Sequence, residues 1–245
     1  MTSKEEYTIP ALSWDMARAI GGFTLSDTIE CGHGIALGHS KQHGRVAIKP
    51  HFKHEKAQNE WNVMNICRET EIPTLEPLAL ARGCLATYIV TRHERNLMSL
   101  AQVNWARTIA DRRTQTDLLP RLERAGQDAA FLHMKGVIHN DFHSGNVTYR
   151  NGSEFVATDL ERASVNVRTR AHLESGAQGD VYRLGATLLV NRGFLGDRSA
   201  LFRAAALNEH LTMPYIEASK VEVDPDRLVK DWANAAQTGR ILQKR

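Results

Sequence analysis

The sequence of 245 residues predicts an α+β fold of two lobes, in which a small antiparallel sheet with one key helix precedes an abbreviated helical lobe. Three observations favour this class. Short apolar runs bounded by turn residues fill residues 24–90, and one stretch of helical period interrupts them. After Thr91 the apolar residues recur mainly at helical spacing. The change of character near residue 95 predicts an N-terminal lobe at 1–95 and a C-terminal lobe at 96–245.

Five strands are predicted in the N-terminal lobe. They occupy residues 24–30, 35–39, 45–48, 78–81 and 85–90. A helix at 55–68 is predicted between the third and fourth strands, because Trp61, Met64 and Cys67 recur at helical spacing. A short amphipathic stretch at 14–20, ended by Gly21 and Gly22, precedes the sheet.

Helices dominate the predicted C-terminal lobe. One ends before Gly136 and keeps a period close to 3.6 through Leu119, Leu122, Ala125, Ala129 and Leu132. Two short strands at 147–149 and 155–158 follow, joined by the hairpin signal of an Asn-Gly pair at 151–152. An apolar helix is predicted at 181–190. The remaining sequence is predicted to be helical, with breaks at Pro214 and Pro225.

Composition narrows the function classes. The formal net charge is +3, and lysines and arginines are scattered along the chain, so a nucleic-acid partner is not expected. Aromatic residues, which stack on bases in nucleic-acid binders, make up only 7%. No apolar run reaches the roughly 18 residues of a membrane span. Three cysteines without a CxxC pair favour a reducing compartment, and we expect a cytoplasmic protein.

The most informative segment is 136–163, GVIHNDFHSGNVTYRNGSEFVATDLERA. It places Asp141, Asn146 and Asp159 at the loop edges of two short predicted strands. An Asn oxygen and an Asp carboxylate suit Mg²⁺, which takes one or two protein oxygens and completes its shell with phosphate and water. A further Asp before them is suited to orient an attacking hydroxyl and accept its proton. These are the groups that phosphoryl transfer from ATP needs.

The run HNDFHSGN at 139–146 resembles the catalytic loop of the protein-kinase superfamily, and TDLE around Asp159 stands in place of its Asp-Phe-Gly motif. LHMKGVIHND at 132–141 also resembles the stretch that leads into that loop. The resemblance implies that Asp141 is the catalytic Asp, that Asn146 and Asp159 bind Mg²⁺, and that His139 has a structural role. GDVYRLGATLL resembles the large helix whose first Asp, here Asp180, supports the loop.

The N-terminal lobe carries the expected ATP-binding residues. RVAIK ends in Lys49, which matches the strand lysine that holds the α- and β-phosphates of ATP in protein kinases and acts in catalysis. Glu60 is expected to be the salt-bridge partner of Lys49, with Glu55 as the weaker candidate nearer the start of the helix.

Two further segments are assigned to ATP by the same resemblance. The phosphate-covering turn is expected at Gly32 and Gly34, with Gly38 as a late third glycine. The adenine is expected against residues 90–94, with the contacts made by Val90, Arg92 and Glu94.

The sequence departs from the protein-kinase pattern in several places. Leu37 stands closer to the expected third glycine than Gly38 does, and Leu160 and Glu161 replace Phe-Gly after Asp159. His143 replaces the lysine of Ser/Thr protein kinases, which makes the loop more similar to those of aminoglycoside, choline and other small-molecule kinases. The DLERA run resembles kinases that act on lipopolysaccharide sugars, whereas DVYRLG resembles Ser/Thr protein kinases. The short segment before Asp180 has no Ala-Pro-Glu motif.

The expected function is therefore an ATP- and Mg²⁺-dependent phosphotransferase that moves the γ-phosphate to a hydroxyl acceptor. Ser or Thr of a protein is slightly favoured as the acceptor, and a small molecule or lipopolysaccharide sugar is the alternative. An alternative of another class is a pseudokinase that binds nucleotide and acts as a scaffold.

Overall fold

The computed structural model of the chain describes residues 15–16, 18–20, 23–24, 35–40, 42–102, 115–167, 169–190, 200–219 and 221–241. The described residues form two compact units. The first contains those up to Glu69 together with Thr74–Arg95, and the second contains Thr70–Pro73 and those from Asn96 onward. The predicted α+β class is confirmed, because an antiparallel sheet fills the first unit and helices dominate the second.

The sheet of the first unit has five antiparallel strands in the order β1-β2-β3-β5-β4. These are β1 (Phe23–Thr24), β2 (Ala36–Ser40), β3 (Gly44–His51), β4 (Pro77–Arg82) and β5 (Thr87–Arg92). The third strand is longer than predicted, because three residues after Ile48 continue to pair with β5. Most of the first predicted strand, at 24–30, lies outside the described residues.

The two faces of β3 have different surroundings. Val46 and Ile48 are fully buried, and they belong to one apolar cluster with Tyr88 and Val90 of β5 and with Met16. Successive side chains of a strand point to opposite faces. Lys49 and His51 consequently lie on the other face of β3.

Helix α1 (His54–Glu69) presents a single buried stripe. Its buried residues are Ala57, Glu60, Val63, Met64 and Cys67. They recur every three or four positions, as expected for one face of a helix. Glu60 is the charged member of this stripe and is therefore placed against the first unit's interior, whereas Glu55, in the first turn, is exposed.

The second unit combines a three-stranded antiparallel sheet with helices. Its strands are β6 (Leu97–Ser99), β7 (Val147–Arg150) and β8 (Glu154–Ala157), in the order β6-β7-β8. Its helices are α2 (Gln115–Met134), α3 (Arg170–Val190), α4 (Ala200–Leu207), α5 (Met213–Ser219) and α6 (Pro225–Thr238). None of the helices in the described part of the chain is long and apolar enough to cross a membrane.

The hairpin between β7 and β8 follows from its turn residues. Asn151 and Gly152 have φ angles of 52° and 76°. A turn with both central residues at positive φ matches the twist of the flanking strands, and Asn and Gly adopt that conformation at low cost. The turn brings the residues that precede β7 and follow β8 to the same end of the hairpin.

Helix α3 is largely buried in the second unit from Ala177 onward. It starts earlier than the helix predicted at 181–190. Gly185 packs against Trp232 of α6, and a Cβ at this position would lie 2.2 Å from the indole ring. Trp232 Nε1 also donates a hydrogen bond to the carbonyl of Tyr182 at 2.8 Å. The middle of α3, which carries Asp180, is therefore fixed by close packing.

The prediction of a helix break at Pro214 is wrong. The chain stays helical from α4 through a π-helical turn, Asn208–Thr212, into α5. A proline has no N–H to donate, and its ring clashes with a carbonyl of the preceding helical turn. The wider π-helical turn before Pro214 accommodates that ring, so the helix continues. Pro225, in contrast, begins α6, where its missing N–H costs no hydrogen bond and Asp224 caps the helix.

Candidate active site

Lys49 and Glu60 form a partly buried ion pair within the first unit. Lys49 Nζ lies 2.8 Å from Glu60 Oε2 and 3.1 Å from Oε1, so it contacts both carboxylate oxygens. Glu60 is only 5% exposed. Burial acts to raise the pKa of Glu60, but His51 and Lys49 outweigh it and hold that pKa below its usual value. Glu60 is therefore a carboxylate that fixes the position of the lysine.

His51 is a second cation-capable partner of Glu60 that the sequence analysis missed. Its Nε2 lies 2.9 Å from Glu60 Oε2, and the side chain is 3% exposed. The residue follows Lys49 by two positions on the same strand, so both side chains face α1. The two-residue spacing of Lys49 and His51 was the sequence signal that could have identified His51.

The structure describes only some of the other residues that are expected to bind ATP. Gly32 and Gly34 lie outside the described residues. Gly38 lies within β2, paired with Val46. Val90 is fully buried in the apolar cluster of the sheet, and Glu94 follows the end of β5.

Arg92 is engaged within the first unit. Its Nε lies 2.5 Å from Glu76 Oε2, and its Nη1 donates to the carbonyl of His43 at 3.2 Å. The guanidinium therefore ties the end of β5 to the residues around it.

His139 is the buried anchor of the loop 139–146 in the second unit. Its backbone N–H donates to Asp180 Oδ2 at 2.8 Å, and its Nε2 lies 2.8 Å from the carbonyl of Thr158. A carbonyl only accepts, so Nε2 carries the proton. The imidazole thereby links the loop to the residue that precedes Asp159.

Asp180 also contacts a buried side chain, which the sequence analysis did not assign. His133 Nε2 lies 3.2 Å from Asp180 Oδ2, and His133 Nδ1 lies 2.9 Å from the hydroxyl of Tyr215. His133 and Asp180 are each 1% exposed. Burial raises the pKa of the Tyr215 phenol, which therefore stays protonated. The network joins α2, α3 and α5 beneath the loop.

Asp141 lies on the loop with its carboxylate between two arginines. Arg183 Nη1 of α3 is 2.5 Å from Asp141 Oδ1, and Arg162 Nη1 is 3.8 Å from Oδ2. The side chain of Asp141 is 21% exposed, so it remains accessible. Neither arginine was singled out as a partner of Asp141 by the sequence analysis.

Asn146 brings the candidate metal-binding residues together. Its Nδ2 donates to the carbonyl of Asp141 at 3.0 Å and lies 3.4 Å from Asp159 Oδ2. Thr158 Oγ1 donates to the carbonyl of Asn146 at 3.1 Å, which ties the two ends of the hairpin. Asp159 has a φ of 57°, a left-handed conformation that Asp tolerates better than most residues.

The donor set of this site fits Mg²⁺. Among the described residues, no group of three or more His, Cys, Asp or Glu side chains is placed to hold a metal ion. Asn146 and Asp159 offer two oxygens, which is the small protein share that Mg²⁺ usually takes beside phosphate and water. They also offer no sulfur or imidazole, the ligands that would favour zinc.

Comparisons with known proteins identify the fold. No family model matches the chain, and no curated protein sequence matches it. Among solved structures, it is similar to WaaP in complex with acyl carrier protein, with a TM-score of 0.54 and 17% identity over 94% of this chain and 92% of that chain. The chain has a protein-kinase-like fold. At this identity the similarity concerns the fold alone.

His143, which stands where the protein-kinase pattern has a lysine, is held as a neutral side chain. Its Nδ1 accepts a hydrogen bond from the N–H of Gly145 at 3.0 Å, which leaves the proton on Nε2. Burial is the main effect on its pKa, and although Asp141 and Asp159 oppose it, the pKa lies below its usual value. His143 is therefore an uncharged side chain close to Asp141.

Proposed function

We propose that the chain is an ATP- and Mg²⁺-dependent phosphotransferase that moves the γ-phosphate of ATP to a hydroxyl group. The observation that carries the proposal is the contact of one side chain, Asn146, with both Asp141 and Asp159. The three side chains would thereby supply a base and two metal ligands within one hydrogen-bonded group. The protein-kinase-like fold supports the same chemistry.

The first unit is the proposed nucleotide-binding lobe. Lys49 would bind the α- and β-phosphates, and Glu60 would hold its ammonium in place. Gly32, Gly34 and Gly38 would cover the phosphates, and residues 90–94 would contact the adenine. The side chain of Lys49 is 27% exposed, whereas that of Glu60 is buried, which supports an anionic ligand at the lysine.

In the second unit, Asn146 and Asp159 would hold Mg²⁺. The bound ion would neutralise phosphate charge and so favour attack by an oxygen nucleophile. Asp141 would accept a hydrogen bond from the acceptor hydroxyl, orient its oxygen and take the proton as the new phosphate ester forms. His139 and Asp180 would keep the loop in the required conformation.

A small-molecule or sugar hydroxyl is the acceptor that the geometry supports best. Ser164 pairs with Ile138 in an isolated bridge directly after the Asp159 segment, and α3 begins at Arg170. The chain between them is too short to form an extended platform for a peptide. Ser or Thr of a protein remains the second acceptor class, which the resemblance of DVYRLG to Ser/Thr protein kinases favours.

ATP as the donor also supports the expected cytoplasmic location. Cys67 is a buried free thiol and Cys84 an exposed one, as is common in a reducing compartment. The pseudokinase alternative is less well supported, because every chemical role in phosphoryl transfer has a candidate residue.

The experiment that tests the proposal incubates the purified chain with γ-labelled ATP and Mg²⁺, with and without a panel of sugars and amino alcohols. Labelling of a small molecule by the wild type, but not by the Asp141→Asn variant, supports the proposal. Label on the protein itself moves the acceptor to the second class. Asp226→Asn, a change in an exposed residue of α6, is the matched control. ATP binding without any transfer would establish the pseudokinase instead.

A further inference from the structure

One face of α3 contacts the loop 139–146 at three points. Asp180 accepts from the backbone N–H of His139 at 2.8 Å, Arg183 reaches the carboxylate of Asp141, and Thr187 Oγ1 accepts from the backbone N–H of Ser144 at 3.0 Å. The spacings of three and four residues place the three side chains on the same side of the helix. Two of the contacts hold the backbone of the loop, and only the one from Arg183 holds a reactive side chain.

The carboxylate of Asp141 is held asymmetrically. Arg183 Nη1 lies 2.5 Å from Oδ1 and donates a charge-assisted hydrogen bond to it. The 3.8 Å separation between Arg162 Nη1 and Oδ2 is beyond hydrogen-bond distance, and the side chain of Arg162 is 53% exposed. Oδ1 is therefore anchored, whereas Oδ2 has room for another donor.

Other cation-capable residues near Asp141 are less suited to fix it. His143 uses Nδ1 to accept from the N–H of Gly145, and its pKa is lowered by burial, so it is uncharged at neutral pH. Arg162 is half-exposed and divides its weak contacts between Asp141 and Glu161. Arg183 combines a hydrogen bond to Asp141 with a position on a helix that Trp232 packs against.

We propose that Arg183 is a positioning residue for phosphoryl transfer, which anchors Oδ1 of Asp141 so that Oδ2 accepts the hydrogen bond of the acceptor hydroxyl. The inference rests on the proposed role of Asp141. A misplacement of about 1 Å in a reacting group lowers rates by roughly 100-fold, so losing the anchor is expected to lower kcat by about 10- to 100-fold. Lysine should restore part of that loss, because it keeps the charge but not the geometry of the guanidinium.

The test measures phosphate release from ATP with Mg²⁺, with water as the acceptor, for the wild type and for Arg183→Met, Arg183→Lys and Arg170→Met. Arg170 is an exposed arginine at the start of the same helix, and its variant should keep the wild-type rate. Arg183→Met should lose kcat with the KM for ATP within about twofold of wild type, and Arg183→Lys should lie between the two. A wild-type kcat in Arg183→Met would overturn the inference.

A double variant separates positioning from a general structural role. If Arg183 acts through Asp141, adding Arg183→Met to Asp141→Asn should leave the residual rate of Asp141→Asn unchanged. A further loss, or a parallel rise in the KM for ATP, would overturn the inference. If Arg183→Met does not fold, Arg183→Lys decides, and a full wild-type kcat in Arg183→Lys would contradict the need for the guanidinium at this position.

The same series distinguishes the two levels of proposal. Transfer that is lost in Asp141→Asn but kept in Arg183→Met would overturn the role of Arg183 alone. No turnover by the wild type, or full turnover by Asp141→Asn, would overturn the proposed function and the inference with it.

Discussion

The carboxylate of Glu60 lies 2.8 Å from the ammonium of Lys49 and is almost fully buried. The two residues come from α1 and β3, so their pairing depends on how the helix packs against the sheet. His51 shares the same carboxylate oxygen at 2.9 Å. A buried carboxylate with two cation-capable partners is costly to disrupt, so we expect substitution of Glu60 to have a large effect on the first unit.

The first prediction concerns that pair. Glu60→Gln should lower the affinity for ATP about tenfold or more, because a charge-assisted hydrogen bond of about 1.5–3 kcal/mol no longer holds Lys49 in place. Glu55→Gln, in the exposed first turn of the same helix, should leave the affinity unchanged. Isothermal titration of ATP with both variants measures the difference, and equal effects of the two changes would contradict the pairing.

The second prediction concerns the support of the loop. Asp180→Ala should destabilise the chain by about 3 kcal/mol, because it leaves buried donors of His139 and His133 without an acceptor. Asp180→Asn keeps one acceptor oxygen and should cost clearly less. Urea unfolding followed by circular dichroism gives both values, with the exposed Asp226→Ala as the control. A loss below about 1 kcal/mol in Asp180→Ala would contradict the network.

The third prediction separates metal from nucleotide binding. Asp159→Asn should abolish the gain in ATP affinity that Mg²⁺ provides, because the remaining Asn146 oxygen is a weak ligand alone. Its affinity for ATP in EDTA should match that of the wild type, since Lys49 is untouched. Thermal-shift titrations with Mg²⁺ and with EDTA test this, and an undiminished Mg²⁺ effect would show that Asp159 is not a ligand.

The fourth prediction concerns Asp128, which faces Tyr149 from α2 and is 5% exposed. Burial raises its pKa to about 6, against the opposing effect of Arg124. The folded chain then binds more protons than the unfolded chain between about pH 4 and 6, so this residue lowers the stability as the pH rises through that window. Asp128→Asn should therefore be more stable than the wild type by about 1–2 kcal/mol at pH 8, and nearly equal to it at pH 4.

Urea unfolding of Asp128→Asn at the two pH values measures the effect. Asp226→Asn is the control, because it removes the same charge from an exposed position. A stability difference that does not change with pH would contradict the assignment to Asp128.

Local signals predicted much of the architecture. The period of α1 and the Asn-Gly pair at 151–152 depend on neighbouring residues, and the observed helix and hairpin agree with them. The continuation of the helix past Pro214 could not be predicted, because a π-helical turn is a response to packing rather than a sequence motif.

The candidate site was predictable only where residues fall in a motif. Asp141, Asn146 and Asp159 lie in such a run, and the contacts of Asn146 bring them together. His51, His133 and Arg183 were missed as partners of the site. His133 meets Tyr215 across 82 positions and Arg183 meets Asp141 across 42, and such distant contacts leave no periodic or local signal.

The most direct test of the central claim is the initial rate of Mg²⁺-ATP turnover by the wild type and by Asp141→Asn, with the ATP affinity of each determined in parallel. The account predicts that the wild type turns ATP over and that the variant loses about 100- to 10,000-fold in kcat while binding ATP equally well. A variant that keeps the wild-type kcat, or a wild type that binds ATP and never turns it over, would contradict the assignment of Asp141 as the base of a phosphotransferase.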